Sequence, residues 1–301
     1  MERIVVSGID GSAESRAAAE WAAREARLRD LPLKVVHVWD PVPDPIAQAP
    51  HLGGGTLQHW AERVPRETVE GLRLRHPGLE VTAEQLPGGP AEVLARVAGD
   101  SELLVLGSRG MSGVGGFMVG SVGLSVVAHA ERPVVLVRAG EQAADEHEPD
   151  PTGIPSAATP YRQVVLGLDT TRPDESLIEF AFEAAAARGA ALRVVHGWSP
   201  TPYEVYSLAA SPETQHLLAA QRAAALAAAL EPWRAKHPNV EVIEEAVVGV
   251  PAHHLVDASR TASLVVVGRR IRRRAFGPRV GAVTHAVLHH STAPVAVVPH
   301  P

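Results

Sequence analysis

The chain has 301 residues, enough for two domains of ordinary size; 46% are apolar but only 4% aromatic, so any core is built mainly from Val, Leu, Ile and Ala. A formal charge of −6 excludes a surface that coats nucleic acid throughout, and the lack of cysteine excludes disulfide and thiolate chemistry and fits a reducing compartment. No signal-peptide pattern opens the sequence, and no apolar run approaches the roughly 20 residues a membrane span needs, so a soluble, cytoplasmic protein is expected.

The first element is a β-branched run over residues 3–8, read as a strand. Residues 12–29 follow as a helix, with Ser12 as its cap and Ala17, Ala18, Trp21, Ala22 and Leu28 near one face. A second strand covers 33–39. After a Pro- and Gly-rich loop to residue 55, a helix runs to about residue 75. Residues 80–86 read as a third strand, 91–98 as a short helix, 103–107 as a fully apolar fourth strand, 120–129 as a helix and 133–137 as the last strand. Continuous apolar strands alternating with helices predict a parallel sheet covered on both faces, wound right-handedly in the Rossmann-like, doubly wound manner. Ligands of such sheets bind at the carboxyl ends of the strands, which here carry Gly8-Ile9-Asp10, Val38-Trp39 and the sequence from Gly107 onward.

The sequence then repeats. Residues 3–10 (RIVVSGID) align with 162–169 (RQVVLGLD), and 33–39 (LKVVHVW) with 192–198 (LRVVHGW), at an offset of 159. Arg75-His-Pro77 aligns with Lys236-His-Pro238, Gly89-Pro-Ala91 with Val250-Pro-Ala252, and the fourth and fifth strands with 264–268 and 293–298, at an offset of 161. One net two-residue insertion between positions 39 and 75 accounts for every match. The fold class expected is therefore α/β, with two five-stranded domains in tandem over 1–138 and 161–299. Residues 139–160 are acidic, contain four prolines and no Lys or Arg, and read as a solvated, fairly stiff linker.

Between the fourth strand and the next helix lies Gly107-Ser-Arg-Gly110-Met-Ser-Gly113-Val-Gly115-Gly116-Phe-Met-Val-Gly120-Ser121. Glycines let backbone N–H groups approach a ligand closely and form an anion nest. The free amides and dipole of a helix that opens on Gly120-Ser121 favour a phosphate. The Ser121 hydroxyl either donates to that phosphate or caps the helix, and Arg109 either reaches the phosphates or solvates the loop. No Lys follows the glycines, so fast phosphoryl transfer is not expected.

The spacing Gly107, Gly110, Gly120, Ser121 resembles the ATP-binding pattern of the universal stress protein family, in its tandem two-domain, adenine nucleotide alpha-hydrolase-like form. The resemblance covers both copies. It implies ATP as cofactor, with or without Mg2+, and a stress-response sensor or regulator rather than an enzyme, with any hydrolysis slow and incidental. It also implies that Gly8, Ile9 and Asp10 lie at the ligand, with Asp10 bonded to adenine or ribose, and that Val38 and Leu106 line the same pocket. Gly107, Arg109 and Gly110 would contact ribose and phosphates, and Gly120, Ser121 and Val122 the phosphates. Gly123 stands where some relatives carry a hydroxyl. For Asp10 a turn or helix-cap role before Gly11-Ser12 is the competing reading.

The second copy departs from this pattern. Ile271 replaces Gly110, Ala282 replaces Ser121, and six arginines fall within residues 269–279. Asp169, Gly268 and Gly281 remain, and Thr284 supplies the hydroxyl missing at Gly123, so these four form a weaker second site. Three readings stay open: lost or weakened ATP binding, anion binding through arginine side chains, and a nucleic-acid patch, the last lacking an aromatic platform for a base. The 15 histidines show no ligand spacing for a metal, and His37 and His196 read as core or pocket-edge residues. Both copies end in a Val-rich strand after a proline. Pairing residues 134–137 with 295–298 in one chain would remove two apolar edges, so an intramolecular pseudo-twofold dimer is expected, with homodimerisation of whole chains open. An adenylating or ATP-hydrolysing enzyme, and a module that binds no nucleotide, are the alternative functions.

Overall fold

A computed structural model describes residues 3–39, 54–108, 120–199, 212–271 and 280–301 of the chain, which divides into two units, Met1–Gln142 and Ala143–Pro301.

The first unit runs β1 (Val5–Ile9), α1 (Ala13–Leu28), β2 (Leu33–Trp39), α2 (Gly54–Arg75), β3 (Val81–Pro87), α3 (Pro90–Gly99), β4 (Leu103–Ser108), α4 (Ser121–His129) and β5 (Val134–Arg138). Its sheet is parallel throughout, in the order β3-β2-β1-β4-β5. Helices α1 and α2 touch each other on one face and α3 and α4 on the other, which is why β1 and the apolar part of β4 are buried on both sides. Winding reverses between β1 and β4, and a crevice opens there at the carboxyl end of the sheet.

Local sequence explains the elements that frame this crevice. The Ser12 hydroxyl caps α1 by accepting from Ser15 N at 3.1 Å, as its position predicts. Ala17, Ala18, Trp21 and Ala22 are buried as expected, and the small alanines let α1 lie close to β1 and β4 around a Trp21 that is 1% exposed. Pro90 starts α3 at a position where its missing N–H costs nothing.

The second unit repeats the plan with β6 (Gln163–Gly167), α5 (Glu175–Arg188), β7 (Leu192–Trp198), α6 (Pro212–Lys236), β8 (Val242–Val248), α7 (Pro251–Ala258), β9 (Ala262–Arg270), α8 (Ala282–His290) and β10 (Val295–His300). Its parallel order is β8-β7-β6-β9-β10. The acidic segment departs from the expected spacer: residues 143–162 fold back on themselves. A 3-10 turn (Ala143–Glu146) leads to an antiparallel bridge between His147 and Tyr161, whose rings lie 3.9 Å apart. Asp150 Oδ1 accepts from Thr152 N and Ile154 N, both at 2.8 Å, and closes the turn. Side-chain turn chemistry, which a count of prolines and charges does not register, orders this stretch.

The matched His-Pro motifs also gain a purpose. Glu20 on α1 accepts from Arg75 Nε at 2.7 Å and from His76 Nε2 at 3.0 Å at the end of α2. In the second unit Glu179 on α5 pairs with Lys236 at the end of α6. The clasp ties the first helix of each unit to the second. Burial pushes the Glu20 carboxyl up, but the bonds from Arg75 and His76 outweigh it and hold the pKa below the usual range. Stability from this group is therefore present above the ordinary glutamate pKa and is lost as pH falls through the depressed folded value. Glu20→Gln is expected to reduce unfolding free energy by about 1 kcal/mol at neutral pH. In a pH series of urea-unfolding midpoints, the gap to wild type should close as pH falls below the depressed glutamate pKa; a gap that persists at the acid end of the series would show that the carboxylate charge is not its source.

Candidate functional site

The ends of three strands and the start of a helix meet at the crevice of the first unit and line a cavity of about 680 Å³. Gly8, Ile9 and Asp10 come from the end of β1, Leu106 and Gly107 from β4, and Val38 from β2, while Gly120, Ser121 and Val122 form the start of α4. Nine of the eleven positions expected from sequence are thus brought together. The other two, Arg109 and Gly110, lie outside the described residues, as do Gly113, Gly115 and Gly116.

The glycines do different jobs. A Cβ on Gly107 would sit 2.5 Å from the carbonyl carbon of Glu14 and 2.7 Å from Ser15 N, so hydrogen alone lets the end of β4 rest on the first turn of α1. A Cβ on Gly8 would meet the Leu106 side chain at 2.5 Å. Gly120 has no such neighbour: its φ of −61° and ψ of 156° suit any residue, and a Cβ there meets nothing within 4 Å. It is the N-cap of α4 yet offers no side chain to the helix. The first intrahelical bond runs from Leu124 N to Gly120 O at 3.0 Å, so the amides of Ser121, Val122 and Gly123 precede the helical ladder. All three residues line the cavity. Uncapped amides and a positive helix end make this wall electrostatically suited to an anion.

Asp10 fills its turn role: Oδ1 accepts from Ser12 N at 3.0 Å, and its own N–H donates to Ser15 Oγ at 3.3 Å. Burial raises the carboxyl pKa, but bonds from Ser12 and Ser15 outweigh burial and keep it below the usual range. An ionised acceptor repels phosphate and suits a hydroxyl or an amine. His37, beside Ile9 in register, has its pKa lowered by burial, against the pull of the Asp10 charge. Its Nδ1 is buried without a partner among the described residues, and the residue does not line the cavity.

Sequence reasoning missed Ser12, Glu14, Ser15, Pro90 and Leu94, which also line this space. For Pro90 a signal existed, since the repeat matches Gly89-Pro-Ala91 to Val250-Pro-Ala252. The others lie on helices whose tilt over the sheet edge no local pattern encodes.

The second unit has a cavity of about 580 Å³ at the matching edge, and Asp169, Gly268, Gly281 and Thr284 all line it. Asp169 Oδ1 accepts from Thr171 N at 3.0 Å, as Asp10 does from Ser12. The Thr284 hydroxyl is 2.8 Å from the Gly268 carbonyl, to which it donates in a residue only 5% exposed. One turn into α8, this hydroxyl is thus engaged by the strand it packs on. Around Gly268 the space is taken by the His300 imidazole, with Nε2 2.7 Å from a built Cβ, rather than by helix backbone. His196 is 4% exposed and satisfied, with Nδ1 3.0 Å from Leu168 O and Nε2 3.2 Å from Thr170 Oγ1. Among the described residues no group of three His, Asp or Glu side chains could hold a metal, and no helix is long and apolar enough to cross a membrane.

Two doubly wound α/β units in one chain, each with a cavity at the point where its winding reverses, define the architectural class. The model of the Universal stress protein family matches residues 1–138 and 160–299. Universal stress protein Rv1996 of Mycobacterium tuberculosis is 33% identical over 97% of this chain and 94% of its own length, and Universal stress protein Mb2019 of Mycobacterium bovis matches to the same degree. A crystal structure of a universal stress protein from Archaeoglobus fulgidus superposes with a TM-score of 0.71, covering 99% of this chain and 98% of its own at 16% identity, a likeness of fold. The chain belongs to the universal stress protein family.

The glycine geometry separates packing from ligand roles. Gly107→Ala is expected to destabilise the first unit by about 1–3 kcal/mol through overpacking, and Gly120→Ala to stay within about 0.5 kcal/mol of wild type. Urea-unfolding midpoints of the two variants check this, and equal losses would contradict the close approach at Gly107.

Proposed function

We propose that the first unit binds an adenine nucleotide, ATP in the first instance, and that the protein acts as a nucleotide-responsive sensor or regulator in a stress response. The observation that carries this reading is the uncapped start of α4, which opens onto the same cavity as the ionised Asp10. These two features give the space a polarity. Phosphates belong at the amides of Ser121 to Gly123, and the ribose or the base edge belongs at Asp10, because a carboxylate and a phosphate repel each other. Ile9, Val38, Leu94 and Leu106 offer the apolar surface on which a purine packs. The volume suits a small organic ligand, and the family resemblance of the glycine loop points the same way.

A regulatory rather than enzymatic role follows from the same residues. No Lys follows the glycines, and the Asp10 carboxylate is engaged in its own turn and sits at the sugar end, away from any γ-phosphate. Hydrolysis is then slow and incidental, and Mg2+ enters as the counter-ion of the nucleotide. A cytoplasmic location and the pairing of the two C-terminal strands as a pseudo-dimer rest on sequence and stay part of the proposal.

Calorimetry with ATP tests the reading. Wild type should bind, and Gly120→Val, whose backbone angles valine adopts without strain, should weaken that binding by at least about tenfold by crowding the phosphate end. A wild type that gives no heat and carries no nucleotide by mass spectrometry after purification would overturn it; release of ADP or AMP would correct the resident ligand.

A further inference from the structure

We propose that the cavity of the second unit is a separate binding site for a phosphate ester, gripped by arginine side chains instead of main-chain amides. The two cavities share a frame and differ in charge. Among the described residues the lining of the first holds Asp10 and Glu14 and no cation. The second is lined by Arg172, Arg222 and Arg270. Arg172 stands where the first copy has Ala13, at the head of the helix that follows the first strand.

Two carboxylates also line the second cavity, each engaged locally; Asp169 and Arg172 attract each other, and the described lining still sets three guanidinium groups against two carboxylates. Asp169 Oδ1 is taken by Thr171, through N at 3.0 Å and Oγ1 at 2.7 Å. Asp174 Oδ1 caps α5, accepting from Ser176 N at 3.0 Å and Leu177 N at 3.3 Å. Its Oδ2 lies 3.8 Å from His300 Nδ1. The Arg270 guanidinium, on the last residue of β9, makes no hydrogen bond or ion pair with the described residues. A guanidinium fork left open in a partly enclosed space is matched by a planar or tetrahedral oxyanion, which it holds through two parallel bonds.

The wall opposite is aromatic. Trp198 is 6% exposed and lines the cavity, whereas its counterpart Trp39 does not line the first. The Arg222 guanidinium lies over the indole, 5.2 Å from its centroid, which fixes that cation at the cavity wall. The indole N–H is buried with no acceptor among the described residues, and an acceptor carried by a ligand would satisfy such a donor. Leu177 and Leu255 add apolar surface for the ester's organic part. The start of α8 reinforces the anion preference: Gly281 caps it without a side-chain bond.

The test uses the full chain carrying Gly120→Val, which weakens the first cavity, titrated with inorganic pyrophosphate and separately with citrate. Pyrophosphate should bind, and Arg172→Gln with Arg270→Gln should weaken it by at least about tenfold. Arg270→Lys, which keeps the charge and the fold but loses the fork, should fall between. Unchanged affinity in these variants, or no binding at roughly millimolar pyrophosphate, would overturn the site. Citrate binding as tightly as pyrophosphate would overturn the phosphate assignment in favour of a polycarboxylate. Failure of ATP to bind the chain with Gly120 intact bears on the first cavity alone, so the two readings fail independently.

Discussion

The close contact between the end of β4 and the first turn of α1 governs the geometry of the first unit's site. Gly107 lies so near the Glu14 and Ser15 main chain that no side chain fits between them. That approach fixes where the β1–α1 turn stands relative to the strand that feeds the glycine loop. Because the winding reverses at the same two strands, the neighbouring helices diverge and leave a crevice that the Asp10 turn and the start of α4 must share. The site is thus a by-product of how a parallel sheet is covered on both faces, made specific by three or four residues.

The second unit shows how far such a frame can be re-lined without being rebuilt. Strand order, the Asx turn at Asp169 and the helix clasp at Glu179 all repeat. What changes is the contents of the crevice. His300 fills the space by Gly268, Thr284 turns its hydroxyl to the strand, and Arg172, Arg222 and Arg270 join the lining. Changes at a strand's carboxyl end that leave close approaches such as Gly107's intact cost little stability, since most of the core lies in the buried middle of the sheet, and binding chemistry can therefore diverge faster than fold.

Much of this was legible in the residues. The strands were readable because buried parallel strands are unbroken apolar runs, and their parallel pairing followed from the alternation with helices. The glycine loop marked the ligand edge, and Asp10, Gly120 and Ser121 fell on one cavity as their spacing implied. The acidic segment was misread because composition suggests a spacer, whereas Asp150 and the His147–Tyr161 pair fold it locally. Thr284 lines the second cavity, but the partner of its hydroxyl was not readable, because that acceptor belongs to a strand 16 residues earlier.

Sequence by itself determined the tandem repeat, the parallel doubly wound class and the edge at which the crevices open, because periodicity and backbone preference are local and survive in one dimension. Only the tertiary structure decided which glycines pack and which face open space, and where each hydroxyl and guanidinium is directed. Those outcomes depend on distances between elements far apart in the chain, which helix tilt and side-chain packing set together.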